Sequence, residues 1–121
     1  MPTPFGIWTI IGNGFAGELR IDPPDANSKI TGSVYGDPII GFWDEASLKL
    51  TFMRIINRSD PSTFQVYTGY QCSTNPGIVF SPPGSVTGLT FAGTFEAFSG
   101  TGATAQRVVY GWFAGGPYFE I

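Results

Sequence analysis

Residues 29–56 read KITGSVYGDPIIGFWDEASLKLTFMRII, and the order of residue types in this stretch decides the fold class. Three runs rich in β-branched and aromatic residues, Lys29–Tyr35, Ile39–Trp43 and Ser47–Ile56, are separated by Gly36-Asp37-Pro38 and Asp44-Glu45-Ala46. Such runs favour a pleated backbone, and short connections of Gly, Pro and Asp turn the chain back on itself. In the third run Leu48, Leu50 and Phe52 recur at every second position, the spacing at which strand side chains share one face. No helical period of 3.6 residues runs through it.

The same rhythm extends in both directions. Gly6–Ile11 and Gly17–Ile21 precede the stretch, and Thr63–Cys72, Leu89–Phe98 and Gln106–Phe113 follow it. Eight strands with mostly short connections predict an all-β, eight-stranded antiparallel up-and-down β-barrel, one domain over residues 1–121. A barrel of that size either fills with side chains or holds one small ligand. In a meander the connections near 11–16, 36–38, 57–62 and 99–105 share one end, the top. Those near 22–28, 44–46 and 73–88 share the bottom, which Trp8 is expected to close. The last connection is long and carries Ile78, Val79 and Phe80 between prolines, so it is expected to plug the barrel or pack on a partner.

Composition narrows the function. Net charge is −3 with no basic cluster, so no phosphate-tracking face for nucleic acid is expected. No run approaches the ~18 apolar residues of a membrane span. Cys72 is the single cysteine and Met1-Pro2-Thr3-Pro4 lacks the basic start of a signal peptide, which together give a cytoplasmic expectation. The chain contains no histidine, which removes Ser-His and Cys-His nucleophile pairs and nearly all zinc and haem arrangements. Asp44-Glu45 sits in a turn, and Asp22-Pro23-Pro24-Asp25 lacks the dense oxygen spacing of a calcium loop. Gly12–Gly17 and Gly100–Ala105 fit the spacing of a dinucleotide loop, but strand-like residues follow both, where that chemistry needs a helix N-terminus. The expectation is no enzyme, no cofactor and no metal.

Alternation nominates a site instead. Arg54 follows Leu48, Leu50 and Phe52 on the inward face of the fifth strand. Leu89, Phe91, Gly93, Phe95 and Ala97 form the inward face of the seventh, and Arg107, Val109, Gly111 and Phe113 that of the eighth. Both arginines then lie near the top, where a buried guanidinium needs a partner. Either they cap the barrel by bonding to carbonyls or a carboxylate, or they bind a ligand.

Several segments resemble, in order, the calycin barrels that include the lipocalins and the avidin–streptavidin family. Gly6-Ile7-Trp8 resembles the G-x-W opening, and Thr31-Gly32-Ser33-Val34-Tyr35 the avidin T-G-T-Y run. Gly41-Phe42-Trp43-Asp44 resembles G-x-[YW]-D, and Val66–Tyr70 and Thr94–Thr101 resemble later avidin strands. The resemblance spans about residues 6–114 and implies the barrel fold, with pairing of chains through strands five to eight. The biotin contacts of that family fall on Ile10, Val34, Arg54, Phe95 and Phe113, with Thr63 and Gln65 where its sixth-strand hydroxyls stand, so biotin is not the expected ligand.

The expected function is therefore non-enzymatic binding of a small polar or anionic ligand other than biotin. Arg54 and Arg107 supply charge, Gln65 and Thr63 hydrogen bonds, and Tyr67, Phe95 and Phe113 an apolar floor. The alternatives are a filled barrel acting through its surface, as an interaction or structural oligomer, and a lectin-like carbohydrate binder. A cavity reaching Phe95 separates the first reading from the filled barrel. A homo-oligomer, a dimer or higher, is expected through outward Met53, Ile55, Phe64, Val66, Tyr70, Cys72, Val108, Tyr110 and Trp112.

Overall fold

The computed structural model describes residues 4–73, 89–99 and 106–118. Eight strands run in order: β1 (Gly6–Gly12), β2 (Phe15–Ile21), β3 (Lys29–Val34), β4 (Asp37–Asp44), β5 (Lys49–Arg54), β6 (Gln65–Ser73), β7 (Leu89–Ser99) and β8 (Gln106–Tyr118). Each pairs antiparallel with the next, and β8 pairs back onto β1 to close the barrel. Among the described residues the only helical piece is a single 3-10 turn, Pro61–Thr63. The up-and-down order needs no crossover, so short hairpins suffice.

Two top turns have the same geometry. Asn13-Gly14 joins β1 to β2 and Tyr35-Gly36 joins β3 to β4, with both central residues of each at positive φ (49° and 83°; 50° and 83°). This is the two-residue turn whose twist matches the flanking strands, and Asn and Gly enter it readily. A bulky tyrosine there is an outlier.

The lower interior is lined by buried aromatic and aliphatic side chains. Trp8 is fully buried near the start of β1, its indole N–H donating to the Pro4 carbonyl at 2.8 Å, and its ring meets Phe91 edge-on at 4.7 Å. Trp43 packs on the same Phe91 at 5.9 Å. Trp112 lies above, between Phe91 at 6.4 Å and Tyr67 at 6.0 Å, and donates to the Thr94 carbonyl at 3.0 Å. The expected plug at 73–88 lies outside the described residues, apart from Ser73 at the end of β6.

Trp112 corrects the expected face of β8. It is 3% exposed, whereas Val109 is 51% and Phe113 36% exposed, so Val108, Tyr110, Trp112 and Ala114 form the inward row. Space decides the register. Trp112 faces glycines on three neighbouring strands: Gly93 and Gly12 are its direct pairing partners, and a Cβ on Gly69 would lie 2.6 Å from its ring.

Candidate functional site

The polar residues of the interior collect at the top. Arg54 ends the inward row of β5 above Leu50 and Phe52, and its direct partner across β6 is Gln65, which shares a face with Tyr67. Asp37 begins the inward row of β4 that continues through Ile39 and Trp43. The Arg54 Nε donates to Asp37 Oδ2 at 2.9 Å and Nη2 approaches the same oxygen at 2.8 Å. Nη1 donates to Gln65 Oε1 at 3.2 Å, and the Tyr67 hydroxyl donates to the same Oε1 at 2.9 Å. Both ionic side chains are largely buried, 19% and 28% exposed, so the pair enters the site with its charge cancelled.

Above this network a cavity of about 490 Å³ opens at the barrel mouth. Its floor is formed by Tyr67, Phe95 and Tyr110, three members of an aromatic ladder set by register: Phe52, Tyr67, Phe95 and Tyr110 are consecutive cross-strand partners on β5 to β8. Phe52 and Tyr67 stack at 4.7 Å, Tyr67 and Phe95 at 4.6 Å, and Phe95 leans on Tyr110 at 5.2 Å. Tyr67, stacked between Phe52 and Phe95, is fully buried, and Phe95 is nearly so. Gly12, Asn13, Phe15 and Ala16 of the first hairpin line one side, and Ala97 lines another.

Tyr35 completes the mouth. Its positive φ breaks the strand alternation, so the ring swings over β2 rather than pointing away from Val34. It lies against Gly17, where any Cβ would collide with it. Its hydroxyl accepts from the Gly12 N–H at 2.9 Å and donates to the Phe15 carbonyl at 2.7 Å, and the Arg54 guanidinium sits 5.0 Å from its ring centre. These contacts offset a backbone strain of roughly 1–3 kcal/mol.

The expected site residues thus divide. Arg54, Gln65, Tyr67 and Phe95 come together around the cavity. Arg107 does not: it lies on the exterior, 61% exposed, paired with Glu96 at 2.8 Å. Phe113 is on the exterior of the same strand. Thr63 sits in the 3-10 turn, where its hydroxyl donates to the Asp60 carbonyl and accepts from the Asn57 N–H, and it does not line the cavity. Asp37, Tyr35 and Tyr110, like the first-hairpin residues and Ala97, were not nominated as site residues by the sequence. Among the described residues, no three His, Cys, Asp or Glu side chains gather to hold a metal.

Burial raises the pKa of both Tyr67 and Tyr35, although Arg54 pulls Tyr67 down and the Gly12 N–H, then Arg54, pull Tyr35 down. A phenol whose folded pKa lies above its unfolded value of about 10 keeps its proton longer when folded. Its contribution to stability is therefore complete below pH ~10 and drains away as pH rises through the folded value. Absorbance titration at 295 nm should show a late phenolate fraction in the folded protein that moves to lower pH in urea. Two tyrosines titrating no later than in the unfolded chain would contradict the burial of these rings.

Compared with protein-family models, curated proteins and solved structures, the chain matches none. Its class is defined by its own geometry: a closed eight-stranded antiparallel barrel, consistent with a calycin-like fold, with a packed base and an open upper cavity.

Proposed function

We propose that this chain is a non-enzymatic small-molecule-binding barrel that takes its ligand in the top cavity. The carrying observation is the cavity itself, within the size range of small-ligand sites, reaching Tyr67 and Phe95 above a core of buried apolar side chains. That arrangement favours a binding cup over a barrel acting only through its surface. The anionic branch of the expectation loses its support, because Asp37 neutralises Arg54 and Arg107 is outside. The ordered strand motifs support reading the chain as an avidin-like barrel without the biotin contacts. Native mass spectrometry of protein purified from its own source should reveal one retained small molecule per barrel, lost in Ala97→Trp, with biotin as a negative control. Bare chain in every preparation, with no uptake from a mixture of small aromatic compounds, would remove the cup.

We infer also that two copies pair through the exterior of β4–β8. Ile40, Met53 and Val66 are in register across three strands, and Val109 follows one strand beyond Glu96. Phe42 and Tyr70 extend the patch, 62% and 52% exposed, and Arg107–Glu96 leaves its charge balanced. The opposite exterior, with Glu18, Arg20, Lys29 and Thr31, is polar. Val108, Tyr110 and Trp112, expected in the interface, are inward-facing and drop out of it. Light scattering at micromolar concentration should give twice the chain mass, falling to the monomer in Val66→Glu. A monomeric parent protein would refute the pairing.

A further inference from the structure

The amide of Gln65 limits what the cavity can accept. Arg54 has no acceptor to offer, so the oxygen of Gln65, not its nitrogen, must face the guanidinium. That oxygen also accepts from Tyr67, so its two lone pairs are both engaged. The Nε2 group therefore carries two N–H donors that have no acceptor among the described residues, on a side chain lining the cavity. The guanidinium adds donors, since Asp37 and Gln65 do not use all five of its N–H groups. Asp37 meanwhile removes the charge that would draw an anion. The Arg54–Gln65 corner of the cavity is thus donor-rich, partly buried and, with Asp37, electrically neutral.

We propose that the site selects an uncharged ligand with an apolar body and one strong hydrogen-bond acceptor, a carbonyl oxygen, directed at Gln65 Nε2 and Arg54. This rests on the reading of the cavity as a ligand cup. A polar group of the site left unmatched by the ligand is penalised on binding, which makes such a site discriminating.

Four probes of one shape separate the cases: 1-indanone, indane, indane-1-carboxylate and 1-aminoindane, titrated by calorimetry at neutral pH. The ketone should bind about tenfold or more tightly than the hydrocarbon, the gain expected of one well-made hydrogen bond. The carboxylate and the ammonium should bind more weakly than the ketone. Gln65→Glu keeps the acceptor for Arg54 and Tyr67 but removes both amide donors. In that variant, checked for an unchanged far-ultraviolet spectrum, ketone affinity should fall about tenfold while indane is unaffected. Tighter binding of carboxylate or ammonium, or an undiminished ketone preference in Gln65→Glu, would overturn the ligand class and leave the cup standing. Failure of all four probes at millimolar concentration would overturn the cup and the class with it.

Discussion

Replacing Trp112 with alanine is expected to lower the free energy of unfolding by about 3–5 kcal/mol, the cost of emptying a buried indole site. The ring is 3% exposed and touches Phe52, Tyr67 and Phe91, and its N–H is satisfied by the Thr94 carbonyl. Collapse around the void is restricted, because on the strand side it is faced by backbone at Gly12, Gly69 and Gly93, which has no side chain to move in. The adjacent residue supplies the internal comparison. Phe113→Ala removes a ring on the exterior and should cost about 1 kcal/mol or less in the monomeric barrel. Urea denaturation of the two variants, made in the Val66→Glu background if the parent is dimeric, measures the difference. Equal losses, or a larger loss at Phe113, would reverse the face assigned to β8.

The second large effect falls on charge selection. Asp37→Asn should raise the affinity for indane-1-carboxylate about tenfold or more, because the Arg54 guanidinium then enters the cavity without its counter-ion. The same change weakens a charge-assisted pair between side chains that are mostly buried, and should lower stability by about 1–2 kcal/mol. Indane itself should bind as before, since neither Asp37 nor its replacement lines the apolar floor. Calorimetry of both probes against parent and variant decides the matter. An unchanged carboxylate affinity would mean that Asp37 does not set the electrostatics of the site.

Much of the barrel was legible because seven strands have one apolar face or a short, turn-rich boundary. Leu50, Phe52 and Arg54 on β5, and Phe91, Gly93 and Phe95 on β7, follow plain alternation and point where alternation places them. Arg54 stood out as a polar residue at the end of an inward row, whereas Gln65 was nominated through the avidin resemblance, at the place of a sixth-strand hydroxyl. β8 was not legible in the same way. Val108-Val109-Tyr110-Gly111-Trp112-Phe113 is apolar on both faces, so period two fixes the spacing but not the side. Taking Val109, Gly111 and Phe113 as the small and apolar interior row carried Phe113 inward and Trp112 outward, the reverse of the structure. The deciding signal lies on other strands: inward Gly69 and Gly93 leave a hole that only a large side chain on β8 fills.

Tyr35 escaped for a different reason. Counting alternate positions through Val34 puts it on the far face, but alternation ends where φ turns positive. Tyr-Gly ahead of Asp-Pro could have been read as a two-residue turn, and a tyrosine held there signals a side chain needed at that spot. Asp37 was absorbed into the same turn, which concealed it as the first inward residue of β4 and the counter-ion of Arg54.

The most direct test of a top-end cup is a backbone amide NMR titration of the full chain with 1-indanone. The expected shifts centre on Gly12, Asn13, Tyr35, Gln65 and Ala97, with the amides of Phe42, Tyr70 and Val109 on the exterior unmoved. Shifts centred on the exterior of β4–β8, or no saturable shift at the mouth, would contradict it.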